Sequence, residues 1–391
     1  MRVSTQRAIW NLGFRPFYLA GAAWAVIAIA LWMAQWTGLF QLHGHLVGVA
    51  WHMHEMIFGY AFAIVVGFLL TAVKAWTGQP TPTGRTLALI FYAWLAARIL
   101  YLTPWSLAGI VFETLFFVMA AWGIALPIRR SRNRQNILFV WLLILVALIN
   151  LGFHVAVKTD FASLELRAMA IAGLDVLAFI VTIISGRVMP MFTRNGAPGS
   201  NPKSYAWLEK SALIGIFLTA IFTLVGPIAA LPYLAALTAY VTAALLFMRW
   251  CWCAPLASWR NPILWALHAA LIWLPLGYLL RALALNYDSI PSSLGVHAIT
   301  IGVVGGMTLA MMTRTARGHT GRILRASSVE IAAYLLLLVS VVARVLVPLF
   351  WPALYYPSVL SSGLLWAGAF LCYLWLYTPW LLAPRVDGKD G

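Results

Sequence analysis

Runs of about twenty apolar residues recur along the whole of this 391-residue chain, and each is long enough to cross a ~30 Å hydrocarbon core as a helix. Inside lipid every backbone N–H and C=O must be satisfied within the protein, so only helices and closed barrels can span. The ten-residue in–out alternation of a barrel strand is absent, which leaves helices. The expected fold is an all-α polytopic membrane protein in a single integral membrane domain, 1–391. Its twelve transmembrane helices fall near residues 16–36, 46–73, 86–103, 107–127, 136–157, 165–190, 207–226, 230–249, 262–284, 292–313, 328–349 and 357–382. Only 9% of residues are charged, against about 25% in soluble domains. Soluble enzymes, coiled coils and disordered chains are thereby excluded.

The net charge of +16 would in another chain suggest a nucleic-acid partner. Here its distribution gives a different reading. With twelve spans, 21 of the 26 Lys and Arg fall on one side. They lie at the N-terminus (Arg2, Arg7, Arg15), in the loops after every even-numbered span (for example Arg129, Arg130, Arg132 and Arg134 after span 4, and Arg314, Arg317, Arg322 and Arg325 after span 10), and at the C-terminus (Arg385, Lys389). Basic residues collect on the cytoplasmic side, so both termini are expected there, facing anionic membrane lipid, and no nucleic-acid partner is implied. A missed helix would scramble this pattern, so it also tests the span count. The exceptions are Arg98, Lys158, Arg167, Arg281 and Arg344, all near the opposite face. They either snorkel from helix ends or serve as cationic partners for an anionic group held there.

Spans 2, 6 and 10 end alike. Each carries a polar residue (His54, Asp175, His297) followed 17, 18 or 16 positions later by a threonine and then a cation, at Thr71, Thr193 and Thr313. The threonines are 122 and 120 residues apart, which corresponds to a repeat of four helices. The expected units are about 1–127, 128–249 and 250–382, parallel rather than inverted and set around a pseudo-threefold axis with spans 2, 6 and 10 innermost. Sites in such folds lie where repeats meet.

Six of the eight histidines cluster toward the outer face: His43 and His45 in the loop before span 2, His52 and His54 about 9–12 Å down it, His297 about 8 Å down span 10, and His154 near the outer end of span 5. Ionisable groups inside a bilayer are costly and mark functional sites, and imidazole is the commonest transition-metal and haem ligand. The metal candidates are therefore His43, His45, His52, His54, His154 and His297. His52 and His54 are two residues apart, about 200° around a helix, and so face different sites. His54 and His297 occupy equivalent repeat positions and are the preferred axial pair of a haem, with His52 and His154 as further cofactor ligands. Arg98, Arg281 and Arg344 are positioned to pair with its propionates. Glu55 and Glu113 share the slab and Asp175 lies near mid-membrane. These three are the candidates for proton relay or ligand orientation, although Asp175 fits an arginine pair equally well. The three cysteines suggest no disulfide framework and no metal set.

Several stretches resemble the NnrS family of bacterial inner-membrane proteins. They are Asn11-Leu-Gly-Phe-Arg15-Pro-Phe-Tyr18, Trp51-His-Met-His-Glu-Met-Ile-Phe-Gly59, Gly186-Arg-Val-Met-Pro-Met-Phe-Thr-Arg-Asn195, and Met311-Met-Thr-Arg314 with Gly318-His-Thr-Gly-Arg322. The resemblance implies a haem- and copper-containing protein of nitric oxide metabolism and nitrosative stress, with His52, His54 and Glu55 as the matching candidate ligands. A more distant resemblance, to haem–copper oxidases and nitric oxide reductases, lies in twelve helices as three arcs with a haem held by histidines of helices 2 and 10. The chain departs from those enzymes in lacking their three-histidine copper site. The expected function is binding and reduction of NO at one or two b-type haems, with copper as a further implied metal and electrons from quinol or a membrane or periplasmic donor. The competing readings are a transporter of haem, copper or a small solute, and a haem sensor or electron-transfer module without turnover.

Overall fold

A computed structural model of the chain describes residues 8–131, 134–158, 163–229 and 232–389. Among the expected cytoplasmic cations, Arg2, Arg7 and Arg132 lie outside the described residues. Every regular element among the described residues is helical. The helices are α1 (Phe14–Trp36), α2 (Gly48–Thr77), α3 (Gly84–Leu100), α4 (Ser106–Arg130), α5 (Ile137–Lys158), α6 (Ser163–Gly196), α7 (Ala206–Ala229), α8 (Pro232–Trp252), α9 (Pro262–Asn286), α10 (Ser292–His319), α11 (Ser328–Phe350) and α12 (Pro352–Leu382). Eleven of them are long and apolar enough to cross a membrane. The twelfth, α3, has 17 residues, about 25 Å at 1.5 Å per residue, and falls just short. The twelve-helix reading of the sequence therefore stands.

Burial separates inner from outer helices. The central windows of α2, α6, α9 and α10 are 61–83% buried, against 22–50% for the other long spans. The three helices expected to be innermost are among the most buried, and α9 joins them. The chain divides into two compact units. The first comprises Met1–Gly173, Thr315–Ile323 and Tyr373–Gly391, and the second Leu174–Arg314 and Leu324–Cys372.

Among the described residues, three helices widen from α to π hydrogen bonding. The π segments are Glu55–Ala61 in α2, Ala298–Gly305 in α10 and Val342–Leu346 in α11. The first begins one residue after His54 and the second one residue after His297; the third contains Arg344. Such turns are rare and concentrate at functional positions, because they re-aim side chains on an otherwise regular helix.

The recurring threonines each make a cross-helix bond. Thr71 Oγ1 accepts the Phe14 N–H at the start of α1 at 3.0 Å while donating to the Gly67 carbonyl at 2.9 Å. Thr193 Oγ1 meets His268 Nε2 at 2.9 Å, and Thr313 Oγ1 meets the Tyr334 hydroxyl at 2.6 Å. A short hydroxyl can satisfy its own helix and a neighbour at once, which explains a threonine where an inner helix approaches the membrane exit.

Candidate functional site

The first unit holds an ionic cluster sealed from solvent. Four antiparallel helices bring it together. His54 and Glu55 lie six and seven residues from the start of α2, and Glu113 seven from the start of α4. Arg98 lies two from the end of α3, and Asn150 and His154 eight and four from the end of α5. Alternating helix direction sets all of them at one level.

His54 is the hub. Its Nδ1 is 2.9 Å from Glu55 Oε1, and its Nε2 is 2.9 Å from Glu113 Oε2 and 3.0 Å from Asn150 Nδ2. Arg98 bridges the two carboxylates, donating from Nη1 to Glu55 Oε2 at 2.9 Å and from Nη2 to Glu113 Oε1. Trp24 Nε1 donates to Glu55 Oε2 at 2.8 Å. The Tyr101 hydroxyl lies 3.0 Å from Glu113 Oε2 and 2.9 Å from His154 Nε2. His54, Glu55, Arg98, Glu113 and Asn150 are all 0% exposed and His154 is 3% exposed.

Close approach of α3 to α2 depends on Gly59. A Cβ there would collide with Arg98 Nη1 and lie 2.8 Å from Glu55 Oε2. The bare backbone also lets Trp94 Nε1 donate to the Gly59 carbonyl at 2.8 Å.

Two carboxylates and one guanidinium leave the cluster one positive charge short. A buried net charge is expensive, so a proton on His54 or a bound cation must complete it. Among the described residues, one group of His, Cys, Asp and Glu has metal-binding geometry: His54, Glu113 and His154, whose donor atoms lie within 4.8 Å of one another. His154 Nδ1 is buried without a partner. The His45 ring stacks on His154 with centroids 5.3 Å apart, its Nε2 likewise buried without a partner. His45 is fixed in its loop by its backbone N–H donating to Ser106 Oγ at 3.0 Å. Burial, with the charge of Lys158 nearby, holds its imidazole below the usual range.

The other residues expected from the sequence are placed differently. His52 turns away from His54, as its spacing required, and stacks on Trp32 at 4.5 Å. His43 is exposed. Asp175 lies in the second unit, held bidentately by Arg281 at 2.5 and 3.0 Å and by the Tyr278 hydroxyl at 2.8 Å, so the arginine-pair reading of Asp175 is the observed one. Arg344 lies over the Tyr355 ring at 5.3 Å. Arg98 and Arg281 thus find their anions among the chain's own acids. His297 is also in the second unit. Its Nδ1 donates to the Ser293 carbonyl at 2.7 Å, which in the neutral ring leaves the lone pair on Nε2.

Sequence reasoning did not single out Asn150, Tyr101, Trp24 or Gly59. Asn150 carries the clearest signal, as the lone amide in the apolar stretch Ile137–Leu151. Tyr101 follows Arg98 at i+3 and so shares its helix face.

No curated protein matches the chain. A family model, NnrS protein, matches residues 8–385, nearly its full length. The matched range takes in the whole cluster of α2 to α5 and both termini of the helical bundle, and the chain belongs to the NnrS family.

Proposed function

We propose that this chain is a metalloprotein of nitric oxide metabolism in the bacterial inner membrane, and that His54, Glu113 and His154 hold a transition-metal ion. One observation carries the reading. Two imidazoles and a carboxylate converge in a dry cluster in which Glu55, Glu113 and Arg98 together sum to one negative charge. Two nitrogens and one oxygen suit copper, iron or zinc. Glu55 on His54 Nδ1 supplies the outer carboxylate that commonly orients a metal-bound histidine. The family's association with nitric oxide supports NO as the substrate.

The finer reading is reduction of NO. Two NO, two electrons and two protons yield N₂O and water, and a bound redox metal would supply the NO-binding and electron-transfer chemistry. The protein's residues supply the rest. Glu113 holds a proton-accepting carboxylate between Arg98 and the histidines, and the Tyr101 hydroxyl connects it to His154. Exclusion of water strengthens each of these interactions. Electrons come from quinol or a membrane or periplasmic donor. His297 is suited to a haem, because a histidine donating Nδ1–H to a backbone carbonyl presents Nε2 as an iron ligand. Both termini are cytoplasmic, and the cluster sits toward the other face.

Metal analysis and an absorption spectrum of the purified protein test this. We expect stoichiometric copper or iron and a Soret band. His154→Ala should remove the cluster metal while leaving the haem spectrum, and His297→Ala should do the reverse. His52→Ala should do neither. A protein with neither bound metal nor Soret band would refute the metalloprotein reading. A metal-loaded protein that consumes no NO with reduced quinol under anaerobic conditions would refute the reductase step alone.

A further inference from the structure

Two family-like stretches of the sequence, Asn11–Tyr18 and Gly318–Arg322, play no part in the histidine cluster. In the first unit they meet each other and the chain's C-terminal segment. Arg15 is 0% exposed at the start of α1. Its Nη1 donates to the carbonyls of Leu381 and Ala383, each at 2.8 Å, at the end of α12. Its Nε and Nη2 are buried and have no partner. A guanidinium carries five N–H donors in a rigid fork, and this one turns one nitrogen to the backbone and leaves the other two unanswered.

The surroundings are basic. Arg322 and Arg385 are near enough to repel Arg15, and His319 feels Arg385, Lys74 and Arg15 together. Arg385 is anchored by Nη1 donating to the His319 carbonyl at 3.1 Å. Arg322 lies 4.3 Å over the Trp380 ring, with Arg317 over the same ring at 5.2 Å. The His319 ring packs on Phe14 at 5.5 Å. The 320–322 turn is tied to the tail by Val386 N–H donating to the Thr320 carbonyl at 3.2 Å. Among the described residues, Asp387 is the carboxylate in contact with this cluster. It is already committed to Arg385 through bonds of 2.8 and 2.6 Å, which hold it below the usual carboxylate range. Arg322, by contrast, has its guanidinium pushed down by burial and by Arg317. Cations crowded on one acid, around a buried guanidinium with unanswered donors, make a site in want of an anion.

We propose that Arg15, Arg322 and Arg385 form a phosphate-binding site at the membrane face opposite the histidine cluster, with the unanswered Nε and Nη2 of Arg15 as its floor. A planar fork matches the two oxygens of a phosphate group in a bidentate contact. That phosphate belongs either to a free anion or to the headgroup of an anionic phospholipid. The site is separate from the metal reading and does not depend on it.

The test uses the full chain in uncharged detergent at constant ionic strength, following the unfolding midpoint against concentration for three probes. These are inorganic phosphate, dioctanoyl phosphatidylglycerol, and dioctanoylglycerol, which has the acyl chains without the phosphate. We expect a saturable rise with phosphatidylglycerol and none with dioctanoylglycerol. A rise with inorganic phosphate as well assigns the site to the free anion, and a rise with phosphatidylglycerol alone assigns it to the headgroup. Arg15→Gln should weaken binding by about tenfold or more, the worth of a charge-assisted hydrogen bond. Because Arg15 also ties down the end of α12, Arg322→Gln and Arg385→Gln carry the test if that variant does not fold. No saturable rise with either phosphate probe would overturn the proposal. So would an equal rise with dioctanoylglycerol, or unchanged affinity in Arg322→Gln and Arg385→Gln.

Discussion

Arg98 is the residue on which the buried cluster turns. Its two terminal nitrogens stand between Glu55 and Glu113, and without them two carboxylates face one imidazole in a dry interior. Arg98→Met removes the charge and keeps much of the volume. It should cost about 3–5 kcal/mol, the penalty for stranding a buried charge, read as a lower unfolding midpoint in detergent and a lower yield. Glu55→Gln with Glu113→Gln in the same background should recover part of that loss, since it removes the stranded charges. Gly59 acts through absence. Gly59→Ala puts a methyl into the path of the guanidinium, and should cost about 1–3 kcal/mol by overpacking. The same substitution at Gly318, where a Cβ meets nothing within 4 Å, should leave the midpoint unchanged. The identity of His54 and the acids as functional candidates was legible in the sequence, because ionisable residues are conspicuous in an apolar run. Gly59 and Trp24 were not, because a glycine or a tryptophan in a membrane helix has many ordinary uses.

At the scale of elements, the π segment Glu55–Ala61 decides which way His54 faces relative to the rest of α2. A π turn accommodates one extra residue, and each residue of an α-helix rotates the chain by about 100°. Deleting Met56 should let the segment relax to α and swing His54 by about that angle away from Glu113 and Asn150. The expected result is a folded protein that does not bind the metal proposed for the cluster, measured by metal analysis beside the helical circular-dichroism signal. A deletion variant with full metal content would show that the π turn does not aim the ligand. The span limits expected from hydropathy agree with the observed helices because length and apolarity are local properties. The π turns were not foreseen, because nothing in one helix's composition reports a hydrogen-bond register set by what its neighbours pack against.

For the whole molecule, the one-sided distribution of basic residues makes a topological prediction. A fluorescent protein fused after Gly391 should fluoresce and an alkaline phosphatase fused there should be inactive, as both behave in the cytoplasm. The opposite pair of results would reverse the orientation and move the histidine cluster to the inner face.

The sequence by itself determined that the chain spans a membrane with twelve helices, because burial in lipid is a property of each segment alone and helix is the only way for it to satisfy its own backbone. It also determined the candidate ligands, because charge in such segments is costly wherever it appears. Only the tertiary structure decided which candidates act together. His54 and His154 are a hundred residues apart and meet through four helices. His52, two residues from His54, faces Trp32 instead. Asp175 is absorbed by Arg281. The physical reason is that partnership among buried charges depends on distances of a few ångströms between helices. Those distances are set by packing details such as a missing Cβ at Gly59, and no single segment encodes them.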